Sequence, residues 1–235
     1  MKNYVVENYE NYREENRLTT NNARRIEFIT TSHIMDELIP ANSKILDCAA
    51  GTGIYAFYLA DKGHEVTATD ITPRHVEIIN NTLKEKTYLM HTAVLDATDM
   101  RMFPDESFDV VLNMGPFYHL LTEEQRERCM SESLRVLKKG GLIFTAYIPR
   151  FYVLQMMALN DSNYLDKRLM EQIYLKNSIE VIDHFAQDGL TPQFASKVDT
   201  WNVDQFKIWC DYHYSVCREE SILGVNNHVM IVGRK

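Results

Sequence analysis

The sequence predicts an α/β fold, a doubly wound and mainly parallel seven-stranded sheet closed by an antiparallel C-terminal strand, and three observations carry the prediction. Short apolar runs alternate with helix-periodic segments five times between Lys44 and Ile148, the rhythm of parallel strands joined by right-handed helical crossovers. A glycine loop, Gly51-Thr52-Gly53, stands where the first strand meets the first crossover helix. At 235 residues with 45% hydrophobic content, the chain is long enough to bury a sheet between two helical layers.

The elements follow in order. Ile26, Ile29, Ile34 and Leu38 recur at helical spacing over Asn22 to Leu38, with asparagine at the start as a cap and Pro40 beyond the end. A strand over Lys44 to Cys48, a glycine turn, a helix over Ile54 to Asp61 closed by Gly63, and a strand over Glu65 to Thr69 make a βαβ unit. Thr72-Pro73 reads as a cap followed by proline at the first helical position, opening a helix to about Lys84. A third strand is expected over Met90 to Leu95. Phe108 to Asn113 is nearly all apolar, as in a strand buried on both faces. Thr122-Glu-Glu-Gln125 matches a capping box, and its helix is expected to end in Lys138, Lys139 and Gly140 before a fifth strand over Gly141 to Ile148.

Beyond Pro149 the rhythm changes. Phe151 to Leu175 is rich in methionine and tyrosine and reads as helices. A strand over Phe194 to Trp201, a helix over Gln205 to Cys217 and a final strand over His228 to Gly233 complete the expectation. No linker or repeat calls for a second domain.

Composition narrows the function. A formal charge of -8 repels a phosphate backbone, so a nucleic-acid partner is not expected and a small molecule is. The first residues form neither a signal nor a transit peptide, and no apolar run reaches membrane-spanning length; the expectation is a cytoplasmic protein with no membrane partner. Cys48, Cys129, Cys210 and Cys217 are scattered, without paired spacing, so reduced thiols are expected and no metal centre.

In a doubly wound sheet the loop from Asp47 to Gly53 is where a nucleotide binds, because glycines let a ligand approach the amides at the helix start. Gly51-Thr-Gly53-Ile-Tyr-Ala56, with Asp70 further on, also satisfies the loose dinucleotide fingerprint, which keeps an NAD-dependent dehydrogenase as an alternative. Asp47 tips the balance. A pyrophosphate gains nothing from a nearby carboxylate, whereas a ligand carrying an amino group and a sulfonium does.

The chain here resembles the class I S-adenosylmethionine-dependent methyltransferases. Ile45 to Gly53 looks like their first motif, Thr69-Asp70 their second and Leu95-Asp96-Ala97-Thr98-Asp99 their third. Phe108 to Leu112 is similar to the strand-four motif and Leu137 to Gly141 to the entry of strand five. The resemblance implies S-adenosyl-L-methionine as cofactor, a Rossmann-like methyltransferase fold, ribose binding by Asp70 and adenine binding by Asp96. Asp47, Ala49, Gly51, Gly53, Ile71, Ala97 and Asn113 are the further cofactor-binding candidates, while Asp109 is expected to be structural. Met114-Gly-Pro-Phe-Tyr-His-Leu120 is similar to the Gly-Pro-Leu-Tyr-His-Leu signature of a bacterial subgroup, with Phe117 in place of leucine. That subgroup's Leu-Gly-x-Ser-x-His ending is approximated from Leu223 to His228, with Asn226 where serine is usual.

Within one domain, residues 1–40 are then expected to form a helical lid and residues 44–148 the cofactor-binding core. Residues 150–193 are expected to form a helical substrate-covering insertion, and residues 194–235 the C-terminal strands. Tyr9 and Tyr12 share a helical face and are assigned to the lid over the cofactor. Tyr118 and His119 follow strand four, at the cleft edge where a methyl acceptor belongs, and are the catalytic candidates. His213 and His228 are expected to be structural. The expected reaction is methyl transfer to an oxygen, nitrogen or sulfur of a small acceptor, with a catalytically silent binding module as the non-enzymatic alternative.

Overall fold

The computed structural model describes residues 2–11, 14–149, 177–224 and 226–235. Its elements are α1 (Lys2–Asn11), α2 (Asn22–Leu38), β1 (Lys44–Asp47), α3 (Ile54–Asp61), β2 (Glu65–Asp70), α4 (Pro73–Leu83), β3 (Met90–Val94), β4 (Phe108–Asn113), α5 (Glu123–Val136), β5 (Leu137–Tyr147), β6 (Glu180–Ala186), α6 (Val203–Val216) and β7 (Val229–Arg234). The strands form a seven-stranded sheet in the order β3-β2-β1-β4-β5-β7-β6, parallel from β3 to β5 and antiparallel in its C-terminal pair. This is the fold class expected from the alternating pattern. No helix among the described residues is long and apolar enough to cross a membrane.

Two compact units emerge, one of Met1–Glu15, Leu38–Thr145 and Gly233–Lys235, the other of Asn16–Glu37 and Ala146–Val232. In the first, β1 lies between β2 and β4, with Ile45 level with Val66 and Val110. Ile45, Leu46, Val66, Ala68 and Val110 to Leu112 are fully or almost fully buried, which is why these strands read as continuous apolar runs. The second unit holds a cluster of Ala23, Val198 and Phe206 packed by Trp201 and Trp209. It also holds a buried ionic group. Arg17 grips both carboxylate oxygens of Glu27 at 2.9 and 3.1 Å, while Nδ1 of His228 lies 2.8 Å from Asp188 and 3.5 Å from Glu27.

Several local expectations need correction. α5 stops at Val136 and β5 starts at Leu137, rather than the helix running to Lys138 and Gly140. Leu137 is fully buried and pairs with Phe108, and Gly140, at φ 77°, serves an irregularity within the strand pairing instead of a helix end. Phe194 to Trp201 is not a strand. Pro192 opens a 3-10 turn over Thr191–Phe194 that runs into a helical turn, Ala195–Val198, and this buries Val198. The strand of this region is β6, inside the stretch expected to be helical. Its period-2 signal is weak because burial is confined to its end, at Phe185 and Ala186. The expected helices over Phe151 to Leu175 lie outside the described residues.

Candidate functional site

Within the first unit, the chain leaves β1 at Asp47 and reaches α3 through a tight loop. The amide of Ala50 donates to the Thr69 carbonyl at 2.8 Å, and the amide of Gly53 to Ala50 at 2.9 Å. Gly51 and Gly53 take φ of 55° and 91°, the left-handed region that favours glycine. At Gly53 even a Cβ would fall 3.0 Å from Ile79 and 3.1 Å from Phe57. Ala49 faces Gly115 of the segment after β4, where a Cβ would come within 3.2 Å.

Two buried carboxylates flank this loop. Asp47 is 1% exposed and its Oδ1 has no hydrogen-bond partner. Burial raises its carboxyl to about 7, against the pull of the Ala49 amide and with a further push from the charge of Asp70. Asp70 closes β2; its Oδ2 accepts from the Gly51 amide and its Oδ1 from the Thr72 amide, both at 2.8 Å. Thr72 is the N-cap of α4 and Pro73 opens the helix, as expected, but the Thr72 hydroxyl is buried without a partner and makes no capping bond, while Asp70 holds the Thr72 amide.

Asp96 follows β3, where its Oδ1 accepts from the amide and the hydroxyl of Thr98 at 2.9 and 2.8 Å. Ala97 is buried and Ile71 half-buried. Asn113, at the end of β4, is wholly buried; its Nδ2 donates to Ser133 at 3.2 Å and Cys129 at 3.3 Å, and its Oδ1 has no partner. Asp109, expected to be structural, accepts from the Lys44 amide at 2.8 Å and pairs with Lys138 at 2.7 Å.

Tyr118 and His119 sit in and just after a 3-10 turn, Pro116–Tyr118, both half-buried. Nε2 of His119 lies 3.0 Å from the hydroxyl of Tyr9 on α1. Burial holds the His119 imidazole below its ordinary range, partly offset by the charge of Asp70. The Tyr9 ring stands edge-on to His119 and to His75, with centroids 5.4 and 5.6 Å apart. Glu15, in the turn after α1, pairs with Arg74 at the start of α4. Tyr12 lies outside the described residues.

The reading of the sequence missed His75. It is 2% exposed, with neither ring nitrogen hydrogen-bonded, and Nδ1 is 3.2 Å from Asp70 Oδ1 outside hydrogen-bonding geometry. Its position in the first turn of α4, just after a strand-end aspartate, is the signal that was available. Glu15 and Arg74 were missed as well, since nothing local connects residues so far apart.

Comparison with known proteins adds to the geometry. Residues 45–141 match the family described as a methyltransferase domain. The chain is 31% identical over 106 residues to an S-adenosyl-L-methionine-dependent Diels-Alderase of Talaromyces variabilis, covering 44% of this chain and 35% of that protein. It is 37% identical over 106 residues to the demethylmenaquinone methyltransferase of Clavibacter sepedonicus, covering 44% of this chain and 40% of that one. The chain thus spans well under half the length of these curated relatives. Among solved structures, a geranyl diphosphate C-methyltransferase from Streptomyces coelicolor superposes with a TM-score of 0.68 over 99% of this chain and 97% of that one, at 15% identity. The shared fold is that of S-adenosylmethionine-dependent methyltransferases.

Proposed function

We propose that this chain is an S-adenosylmethionine-dependent methyltransferase that modifies an oxygen, nitrogen or sulfur atom of a small-molecule acceptor. The observation that carries the reading is Asp47, a buried carboxylate with a partnerless oxygen beside a glycine loop and a second carboxylate, Asp70. A pyrophosphate would add negative charge to this pair. A ligand bearing an ammonium and a sulfonium supplies the missing positive partner, and this is why the site fits S-adenosyl-L-methionine better than a dinucleotide.

In this reading Asp47 takes the ammonium end, the loop at Ala49, Gly51 and Gly53 gives the backbone close approach, and Asp70 takes the ribose hydroxyls. Each oxygen of Asp70 already accepts one amide and keeps capacity for another donor. Asp96 takes the adenine amino group, Ile71 and Ala97 form the walls, and Asn113, whose buried oxygen has no partner, is a further contact. Tyr9 and Tyr12 belong to a lid over the ligand. The bound cofactor supplies an activated methyl group on sulfur, so the protein's task is mainly alignment. His119, neutral because it is buried, receives the acceptor's proton where one must leave, and Tyr118 lines the same edge.

The small-molecule acceptor follows from the charge of -8, which argues against nucleic acid; a cytoplasmic location without membrane association belongs to the same reading. The likeness of Met114 to Leu120 to the Gly-Pro-Leu-Tyr-His-Leu subgroup supports it further. Calorimetry tests it. S-adenosylhomocysteine should bind and NAD should not, and the opposite preference would overturn the assignment. Asp70→Ala should weaken S-adenosylhomocysteine binding by about 1.5–3 kcal/mol with the fold intact.

A further inference from the structure

We infer that the methyl acceptor is a phenol, and that the side chain of Tyr9 occupies the acceptor's seat in this conformation of the chain. The inference rests on the methyltransferase reading and narrows its substrate. A tyrosine side chain is itself a para-substituted phenol. Its hydroxyl meets His119 Nε2 at 3.0 Å, and its ring makes T-shaped contacts with His75 and His119, at centroid distances of 5.6 and 5.4 Å. The seat therefore already holds a flat aryl ring with its oxygen on the imidazole of the turn after β4. The segment bearing that imidazole adjoins the glycine loop, since Gly115 packs against Ala49. His75, which also contacts the ring, lies 3.2 Å from Asp70. With His119 read as bordering the acceptor, the oxygen lies at the acceptor's edge of the site, and the ring reaches toward His75 and Asp70.

The chemistry agrees with the geometry. A phenol, with an ordinary pKa of about 10, keeps its proton at neutral pH and must shed it as it attacks. His119 in the tautomer protonated at Nδ1 has Nε2 open to accept that proton. The phenol oxygen forms the new bond to the methyl carbon, the carbon–sulfur bond breaks with its electron pair left on sulfur, and the phenolic proton passes to Nε2. An amine acceptor would arrive at the same imidazole as a cation and would have to lose its proton beforehand. For a phenol to enter, Tyr9 must withdraw, and α1 with it. The contacts given up include the Tyr9–His119 hydrogen bond and the exposed 3.4 Å bond from the Arg74 amide to Glu10.

The test uses the full chain with histidine ring carbons labelled for NMR and His119 assigned through His119→Gln. The probe is p-cresol, the side chain that Tyr9→Ala removes. In Tyr9→Ala, p-cresol should shift the His119 resonance with a dissociation constant of about 1 mM or below, roughly tenfold tighter than in the wild-type protein. Toluene, which lacks the hydroxyl, should leave the resonance in place. Saturating S-adenosylhomocysteine should not displace p-cresol, and S-adenosylmethionine with p-cresol should yield 4-methylanisole. Absence of a p-cresol shift overturns the inference, as does displacement by S-adenosylhomocysteine, which would put the Tyr9 ring in the cofactor's place. Should Tyr9→Ala not fold, Tyr9→Phe serves: deleting the bond to His119 should tighten p-cresol binding over wild type, and equal affinities overturn the inference. Calorimetry of S-adenosylhomocysteine with the wild-type chain, run alongside, reads the methyltransferase assignment separately from the phenol seat.

Discussion

The hydroxyl of Tyr9 lies 3.0 Å from Nε2 of His119, across 110 residues of sequence, so α1 is fastened to the turn after β4. One hydrogen bond of this kind contributes about 0.5–1.5 kcal/mol net. His119→Ala should therefore speed amide exchange in residues 2–11 by about 2- to 12-fold, measured by mass spectrometry. Unchanged exchange would mean that other contacts hold the helix. Cofactor binding should slow exchange in the same residues if they form the lid.

Methyl transfer should depend on pH through His119. Burial lowers its pKa below the ordinary 6.5, so the imidazole is neutral and able to accept a proton at pH 7. The rate should rise with pH below 6.5 and be flat above it, with His119→Ala slower by about 10²–10⁴-fold at the plateau. A mutant that keeps the full rate would leave catalysis to alignment alone.

Asp47→Asn should stabilise the fold and weaken the cofactor together. Burial raises the folded carboxyl to about 7, above the ordinary 3.8. Burying Asp47 therefore carries no ionisation cost at low pH, where it is protonated, and the cost grows as pH rises from about 4 to 7 and is complete above that. At pH 8 the amide should raise Tm by roughly 2–4 °C for each kcal/mol relieved, while S-adenosylhomocysteine binds more weakly. At pH 4 the Tm difference should vanish. A variant less stable at pH 8 would show that the carboxylate has a partner in solution.

Gly53 and Gly63 have nearly the same φ, 91° and 88°, but different surroundings. A Cβ at Gly53 would meet Ile79 and Phe57 at 3.0–3.1 Å, and at Gly63 nothing within 4 Å. Both alanine variants carry backbone strain, so their difference isolates the crowding. Gly53→Ala should be the less stable by about 1–3 kcal/mol in urea unfolding, and equal losses would show that the neighbours yield freely.

In the second unit, His228 should stabilise the fold as an imidazolium. Burial lowers its pKa, but Glu27 and the hydrogen bond to Asp188 outweigh that and raise it above 6.5. Its contribution is fully present below pH 6.5 and is lost as pH rises through the raised value. Glu27→Gln should cost about 3–5 kcal/mol, because Arg17 loses its buried partner and His228 keeps only Asp188, and should make the pH dependence of Tm above 6.5 shallower. A dependence as steep as in the wild type would place the titration elsewhere.

Local patterns determined several elements of both units. The helix from Asn22 to Leu38, the helix from Ile54 to Asp61 and the strand from Phe108 to Asn113 were legible to the residue, because helical period and continuous apolar runs are properties of neighbours in the chain. The capping box at Thr122 and Gln125 was legible for the same reason: both of its bonds close within four residues.

What only the tertiary structure decided lies where distant residues meet. Leu137 belongs to a strand because Phe108 pairs with it, although the sequence before it is helical and a glycine pair follows. Val198, in a stretch expected to be a strand, is instead buried in a helical turn by the cluster with Ala23 and Phe206. Asp70 was identified as a strand-end carboxylate, but its grip on the amides of Gly51 and Thr72 and its nearness to His75 required the folded loop. Tyr9 and His119 were each singled out by residue type and place. Their contact, like that of His228 with Glu27, depends on bringing together segments a hundred or more residues apart, and residue spacing carries no record of that distance.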